Sequence, residues 1–150
     1  MSFLNSLNIS ASALTAQRMR LDIAAENIAN ADTTRTEAGT PYRRKQVVFE
    51  AMEDQTPDFR TALSSRLHKN STQQKGGVRV SAIMEDQSDL KPVYNPQHPD
   101  ANEDGYVMMP NVEILKETVD SMSATRSYEA NITALNAIKQ MASKALDIGK

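Results

Sequence analysis

The chain has 150 residues, the usual size of one domain, and 39% of them are hydrophobic, fewer than is typical of soluble globular proteins. Its formal net charge of −2 provides no basic field that would favour nucleic acid or an anionic membrane surface. It has no cysteine, which excludes disulfides, thiol chemistry and cysteine-based metal sites. This composition favours a single small domain with long, surface-rich helices that assemble with partners.

The first thirty residues carry an apolar stripe with a seven-residue period, formed by Leu7, Leu14, Leu21 and Ile28. Such a period is typical of an amphipathic helix, and it predicts a helix from about Leu4 to Asn30. The residues that follow are short and polar and favour turns over helix interiors. We therefore expect the chain to leave the helix at that point.

The last third of the chain predicts a second, longer helix. Asn111 follows Pro110 and is a good N-cap, and we expect Glu113 in the first turn. The apolar stripe changes phase near Thr125, and its members are Val112, Leu115, Val119 and Met122 before the change and Tyr128, Ile132, Leu135, Ile138, Ala142 and Ala145 after it. About 36 residues give a helix of roughly 54 Å. A stripe of that length either pairs only with the first helix or also contacts another chain.

The middle of the chain has short segments rich in β-branched and aromatic residues. These predict strands at Tyr42–Phe49, Val78–Met84 and Gly105–Met109. Residues 58–77 are polar and are predicted to form a mobile loop. The predicted class is α+β, with two long terminal helices that pair as a coiled-coil-like hairpin around a small β-rich insertion. The predicted organisation is an N-terminal helix and turn at 1–34, a β-rich region at 35–110 and a C-terminal helix at 111–150.

The best local match to a ligand-binding motif is the opening of a calcium loop at Asp100, Asn102 and Asp104, followed by Gly105. The bidentate glutamate that should end such a loop is replaced by Asn111, so we expect a turn without calcium. The sequence has neither a nucleophile elbow nor a phosphate-binding glycine loop, and its two histidines are not at helical ligand spacing. These observations predict a protein that is not an enzyme and that uses no cofactor or metal.

The densest basic cluster is Arg43, Arg44 and Lys45. We expect it to be a solvated strand edge that its charge protects from aggregation. The alternative is contact with an acidic partner surface or with an anionic polymer such as the cell wall.

Three residues at the end of the first helix carry a family resemblance. Asn27, Asn30 and Thr33 match an Asn-x-x-Asn-x-x-Thr element, and further similarity covers 105–112, 124–131 and 144–150. The sequence resembles the bacterial flagellar rod, hook and hook-associated family. Where many members continue with Pro-Gly, this chain has Thr34-Arg35-Thr36, which is similar to the proximal-rod branch. Because short polar side chains bind nearby backbone groups, we expect the three motif residues to fix the turn that leaves the helix.

The resemblance implies a structural subunit of the basal-body proximal rod. Such a subunit polymerises through its terminal helices into the periplasm-spanning drive shaft, which transmits torque and encloses the export channel. It also implies partners: other proximal and distal rod proteins, the hook–basal-body complex protein, further copies of the chain, and the flagellar type III export apparatus. Export without a cleaved signal peptide is expected, and the longest unbroken apolar run, Tyr106–Met109, is too short for a membrane span.

We therefore expect the apolar stripes to form the assembly interface, through Leu7, Leu14, Leu21, Ile28, Leu115, Val119, Met122, Tyr128, Ile132, Leu135 and Ile138. Two other kinds of protein are also considered. One is a soluble adaptor or export chaperone whose helices bind a single partner. The other is a calcium-dependent binding module built on Asp100, Asn102 and Asp104.

Overall fold

The computed structural model describes residues 3–52 and 76–148. These residues form two long helices with four short strands between them along the chain, in the order α1 (Phe3–Ala29), β1 (Lys45–Ala51), β2 (Val78–Glu85), β3 (Lys91–Tyr94), β4 (Tyr106–Met109) and α2 (Ile114–Ile148). The predicted α+β class is confirmed, with paired terminal helices and a small β-rich insertion. Most of the predicted mobile loop at 58–77 lies outside the described residues.

Helix α1 has 27 residues and ends one residue before the predicted boundary. The chain leaves it through two tight turns, in which the Ala31 N–H donates to the Ile28 carbonyl (3.3 Å) and the Thr33 N–H donates to the Asn30 carbonyl (3.1 Å). Helix α1 packs along α2, and its other contacts are with β1 and β2. The first helix is therefore the element that joins α2 to β1 and β2.

Helix α2 has 35 residues and begins at Ile114, later than predicted. Its first hydrogen bond runs from the Glu117 N–H to the Glu113 carbonyl (3.0 Å), which makes Glu113 the residue at the N-cap position. The prediction that Asn111 caps the helix is therefore wrong. The Asn111 side chain instead accepts a hydrogen bond from the Arg44 N–H (2.8 Å) and donates one to the Ser88 hydroxyl (2.8 Å).

The four strands form two separate two-stranded antiparallel sheets, β1 with β2 and β3 with β4. A register shift between Val48 and Phe49 interrupts the first pairing. Strand β3 was not predicted, because it is only four residues long and contains Pro92. Proline is tolerated here because a two-stranded sheet has only edge strands.

The buried apolar side chains of the described residues come from both helices, from the segment that enters β1, from β4 and from the segment before α2. They are few and mostly small: Ala16, Ile23, Ala24, Tyr42, Val107, Val112 and Ala124. Small side chains allow the axes of two helices to approach closely. Neither described helix has an apolar stretch long enough to cross a membrane.

Gly105 and Gly39 provide a matched test of how tightly the β3–β4 hairpin is packed. Both have positive φ, +80° and +76°, so alanine costs about 1–2 kcal/mol of backbone strain at either position. A Cβ at Gly105 would also come within 2.9 Å of the Tyr94 ring, whereas one at Gly39 would meet no atom within 4 Å. We expect Gly105→Ala to lower the free energy of unfolding more than Gly39→Ala does, as measured by chemical denaturation. Equal losses would contradict the close packing of Tyr94 on the turn.

Candidate functional site

Asn27, in the last turns of α1, is 1% exposed and uses its whole amide group in hydrogen bonds. Its Nδ2 donates to the Lys45 carbonyl (2.9 Å) and to Oε2 of Glu117 (2.9 Å). Its Oδ1 accepts from the Tyr42 hydroxyl (2.8 Å) and from the Lys45 N–H (2.9 Å). One side chain thus joins α1, the start of β1 and α2, and a buried amide with all its partners is stable there.

Arg44 and Glu117 form an ion pair inside the protein. Glu117 is 2% exposed, and its Oε1 accepts a hydrogen bond of 2.6 Å from Nε of Arg44. The Arg44 guanidinium also lies 3.8 Å from carboxylate oxygens of Asp86 and Asp120. The expectation of a solvated basic edge is therefore wrong for Arg44, because its charge is buried against a carboxylate. Charge-assisted bonds of this kind compensate for much of the desolvation that burial requires.

Two partly exposed ion pairs flank the buried one. Nη2 of Arg20 donates to Oδ1 of Asp120 (2.7 Å), which ties α1 to α2. Nζ of Lys45 donates to Oε1 of Glu26 (2.6 Å) and lies 5.7 Å from the centre of the Tyr42 ring. These side chains are 30–39% exposed, so solvent screens them and each pair contributes little to the stability of the fold. We call Asn27, Tyr42, Arg44, Lys45 and Glu117 together the polar joint.

Tyr42 is the buried aromatic member of the polar joint. Burial first, and then the carboxylates of Glu26, Glu117 and Glu85 in that order, together raise the pKa of its hydroxyl to about 12. Desolvation and nearby negative charge both oppose formation of the phenolate. The hydroxyl therefore remains a hydrogen-bond donor to Asn27 over the physiological pH range.

The other two motif residues act within the turn. Nδ2 of Asn30 donates to the Glu26 carbonyl (3.0 Å), and the Thr33 hydroxyl donates to Oδ1 of Asn30 (3.1 Å). The Thr33 carbonyl accepts from the Tyr42 N–H (3.1 Å), which directs the chain toward β1. Asn30 and Thr33 thus make the local contacts that the motif led us to expect, whereas Asn27 reaches across to two other elements.

The predicted stripe of α1 does not lie at the centre of its buried face. Leu7, Leu14, Leu21 and Ile28 are each only half-buried. The side chains of α1 that are buried among the described residues are Ser10, Ala16, Ile23, Ala24 and Asn27. Apart from Ile23, the helix therefore buries small and polar residues against its own chain, and the four residues of the predicted stripe are less buried.

The predicted stripe of α2 lies on two different faces. Leu115, Val119 and Met122 are 81%, 59% and 53% exposed, and we call these three residues the outer stripe. Beyond the change of phase, Tyr128, Leu135 and Ile138 are half-buried, and Ile132 is 38% exposed. The structure therefore brings the second part of the stripe inward and leaves the first part in solvent.

The oxygen-rich loop at 100–104 is held by hydrogen bonds within the protein. Oδ2 of Asp100 accepts from the Thr34 hydroxyl (2.8 Å), and Oδ1 of Asn102 accepts from the Tyr106 N–H (2.7 Å). Asp104 is exposed. Two of the three oxygen groups suggested for calcium thus stabilise a turn and its contact with the segment after α1.

Two family descriptions match the chain, and both fall on the terminal helices. The family described as "Flagella basal body rod protein" matches residues 7–35. The family described as "Flagellar basal body rod FlgEFG protein C-terminal" matches residues 103–148. The first contains Asn27, Asn30 and Thr33, and the second contains the outer stripe and Glu117.

Curated relatives match over the full length of the chain. The flagellar basal-body rod protein FlgC of Bacillus subtilis is 51% identical over 154 residues, with 100% of both chains covered. The proteins of the same name from Salmonella typhimurium and Borreliella burgdorferi are 45% and 42% identical, with 98% or more of each chain covered. The chain belongs to the FlgC family of flagellar basal-body rod proteins. The resemblance identified at the end of α1 is thereby confirmed.

In this FlgC-family chain, the polar joint connects the two matched regions through residues that lie outside both. Tyr42, Arg44 and Lys45 follow residue 35 and precede residue 103. Sequence reasoning missed Tyr42 and Glu117 as functional residues, and it misread Arg44. The position of Glu117 in the sequence was a signal. It lies seven residues before the buried Ala124, so the two side chains point to the same side of α2.

Removal of the buried Glu117 carboxylate is expected to lower the free energy of unfolding much more than removal of the partly exposed Asp120 carboxylate. Glu117→Ala leaves the Arg44 charge and the Asn27 amide without their main partner, and loss of one member of a buried pair costs about 3–5 kcal/mol. Asp120→Ala, the control, removes a carboxylate that is 39% exposed, for which about 1 kcal/mol or less is expected. The free energy of unfolding from chemical denaturation measures both losses. Similar losses for the two variants would contradict the role given to Glu117.

The buried Tyr42 hydroxyl predicts a stability change at alkaline pH. Because the folded-state pKa is raised above the ordinary value near 10, the stability that goes with the neutral phenol is fully present below pH 10 and is lost as the pH rises toward 12. Tyr42→Phe cannot ionise and serves as the control. We expect the wild type to lose stability relative to Tyr42→Phe between pH 10 and 12, as followed by denaturation at each pH. A constant difference across that range would show that Tyr42 is not buried as described.

Proposed function

We propose that this chain is a structural subunit of the proximal rod of the bacterial flagellar basal body. In this proposal it polymerises through its terminal helices into the drive shaft that spans the periplasm, transmits torque and encloses the export channel. The observation that carries the proposal is the full-length match to FlgC proteins, combined with two long helices that leave the outer stripe exposed. Exposure of such a stripe to water is unfavourable in a free monomer, and its burial against a neighbouring subunit is favourable.

The two helices are suited to forming a wall. Contacts between them run in opposite order along the chain, Asn27 with Glu117 and Arg20 with Asp120, as in an antiparallel hairpin. Burial of one large aliphatic side chain contributes about 1.5–3 kcal/mol, and a repeating lattice makes every such contact many times. In our proposal the helices form the inner wall, and the β-rich middle lies outside it.

The polar joint offers a route for torque between the two parts of the subunit. Asn27 and Glu117 belong to the helices, whereas Arg44 and Lys45 belong to the segment that starts β1. A network of directional hydrogen bonds resists relative rotation better than apolar contacts, which are not directional. A force on the sheet would therefore reach both helices through the joint.

The partners follow from the same proposal. Membership in a basal-body rod family supports association with other rod and hook components. The finer proposal is that the neighbours are proximal and distal rod proteins and the hook–basal-body complex protein, and that the flagellar type III export apparatus delivers the chain to the periplasm without cleavage. Family membership favours this structural role over a soluble adaptor or export chaperone, and it favours a protein that is not an enzyme.

The basic cluster has mainly internal roles in this proposal. Nη1 of Arg43 donates to the carbonyls of Asp86 (3.3 Å) and Ser88 (3.1 Å), Arg44 pairs with Glu117, and Lys45 pairs with Glu26. Hydrogen bonds on Asp86 from the backbone and side chain of Ser88, followed by the charge of Arg44, lower the pKa of that carboxyl. Contact of the cluster with the cell wall would have to compete with these partners.

Leu115→Asp tests the outer stripe without disturbing the monomer. Because Leu115 is 81% exposed, the change should alter the free energy of unfolding by about 0.5 kcal/mol or less. In a flagellated bacterium whose own FlgC-family gene is deleted and replaced, we expect the variant to be exported but basal bodies to stop before the hook, as seen by electron microscopy. Gln140→Asp, also exposed on α2, is the control and should support swimming. Full-length basal bodies in Leu115→Asp cells would show that the outer stripe is not an assembly surface.

The rod assignment itself is tested by locating the wild-type chain. An epitope-tagged chain should copurify with intact basal bodies in the complemented strain and should be retained when hooks and filaments are sheared away. Its absence from basal bodies that nevertheless carry complete rods would overturn the proposed function.

A further inference from the structure

His98 lies in the loop between β3 and β4, where its imidazole ring accepts a hydrogen bond from the backbone. Nδ1 of His98 accepts from the Asp100 N–H (3.1 Å), and the His98 carbonyl accepts from the Ala101 N–H (3.1 Å). A ring nitrogen can accept a hydrogen bond only while it carries no proton. The loop therefore holds the neutral imidazole, in the form that has its proton on Nε2.

The Asp100 carboxylate lies close to the same ring nitrogen. Its Oδ2 is 3.9 Å from Nδ1 of His98 and accepts a hydrogen bond from the Thr34 hydroxyl (2.8 Å). Its Oδ1 lies 3.8 Å from Nη1 of Arg35. No other ion-pair partner of His98 is found among the described residues. The His98 and Asp100 side chains are 32% and 26% exposed, so protons from solvent can reach the ring.

The hydrogen bond between Thr34 and Asp100 links two separate parts of the chain. Thr34 belongs to the segment that leaves α1, and Asp100 belongs to the loop that joins β3 to β4. Within the part of the chain that the structure describes, no other side-chain hydrogen bond connects residues 30–41 with residues 95–105. The accompanying ion pair is weakened by solvent, because the Arg35 side chain is 72% exposed. One hydrogen bond thus provides most of the polar contact between these two parts.

We propose that His98 is an acid-sensitive switch that makes or releases the link between Thr34 and Asp100. A proton on Nδ1 turns this nitrogen from an acceptor into a charged donor, so the hydrogen bond from the Asp100 N–H is lost. The imidazolium then attracts the Asp100 carboxylate, and Oδ2 moves from the Thr34 hydroxyl toward Nδ1. Histidine is the side chain that changes charge between about pH 5 and pH 8. The link is therefore made at neutral pH and released in mild acid.

The switch exchanges contacts and does not simply remove them. Protonation ends two hydrogen bonds of Asp100, one on its N–H and one on its carboxylate, and forms an ion pair with His98 in their place. All of these contacts are partly exposed to solvent, so the loss and the gain are of similar size. We therefore expect the local geometry to respond more clearly than the free energy of unfolding. The other acidic residues of the loop, Glu103 and Asp104, are exposed and take no part in the exchange.

Nuclear magnetic resonance of the purified full-length chain, labelled with ¹⁵N and ¹³C, tests the switch directly. Above about pH 8, we expect a scalar coupling between the amide nitrogen of Asp100 and Nδ1 of His98, transmitted through their hydrogen bond. As the pH falls to about 5, this coupling should disappear. The resonances of the Asp100 amide and of the Thr34 Cβ should shift along the same curve as those of the His98 ring.

Two outcomes of this titration would overturn the inference. If the His98 ring titrates while the Asp100 amide stays constant, the backbone hydrogen bond on Nδ1 is not the group that responds. If the Asp100 amide follows the ring but Thr34 does not, protonation does not release the link. Both outcomes would leave the proposed function untouched, because the inference depends only on contacts within one chain.

Replacement of each histidine provides the matched controls. His98→Asn supplies an amide oxygen that can accept the Asp100 N–H but does not titrate, so the Asp100 and Thr34 resonances should stay constant over the same pH range. His68→Asn removes the other histidine of the chain and should leave the whole response in place. A response that persists in His98→Asn, or one that is lost in His68→Asn, would show that His98 is not the switch. If His98→Asn does not give the spectrum of a folded protein, the coupling in the wild type and its loss in acid decide the question.

Discussion

The ion pair between Arg44 and Glu117 is the constraint on which the arrangement of the helices and the first sheet depends. Glu117 is almost completely buried, and an uncompensated charge there would cost several kcal/mol. Its two oxygens are matched by Nε of Arg44 and Nδ2 of Asn27, at 2.6 Å and 2.9 Å. Both donors reach the carboxylate only if α1, α2 and the start of β1 take one relative position. A shift of any of these elements would therefore separate the ion pair and lose its stabilising energy.

The apolar contact between the helices would not fix that position alone. Its buried members include Ala16, Ala24 and Ala124, and alanine presents nearly the same small surface from one turn to the next. A helix pair lined in this way can approach closely, but it gains little from one register over the next. Buried polar groups are best established as selectors of register in coiled coils. We interpret the polar joint in the same way, with the alanines providing proximity and the joint providing alignment.

The elements that the sequence predicted well are those with long periodic patterns. Both helices were placed to within a few residues because each apolar pattern extends over many turns. The change of phase near Thr125 corresponds to the division between the outer stripe and the inward residues Tyr128, Leu135 and Ile138. Strand β3 was missed because four residues with a proline carry almost no pattern. Arg44 and Glu117 were missed for a different reason. A lone arginine in a basic run and a glutamate in a first turn are usually solvated, and only the fold brings these two together across 73 positions of sequence.

The polar joint also decides what the exposed side of α2 must do. Glu117 lies between Leu115 and Val119 in sequence. On the helix, its side chain points to the side opposite those of Leu115 and Val119. A rotation of α2 that buried the outer stripe against α1 would carry the Glu117 carboxylate into solvent and leave the Arg44 charge inside without it. The loss of a buried ion pair, about 3–5 kcal/mol, is at least as large as the gain from burying one leucine, about 1.5–3 kcal/mol. The chain therefore cannot cheaply cover its own stripe, and an apolar surface held outward by a buried charge is available to a neighbouring subunit.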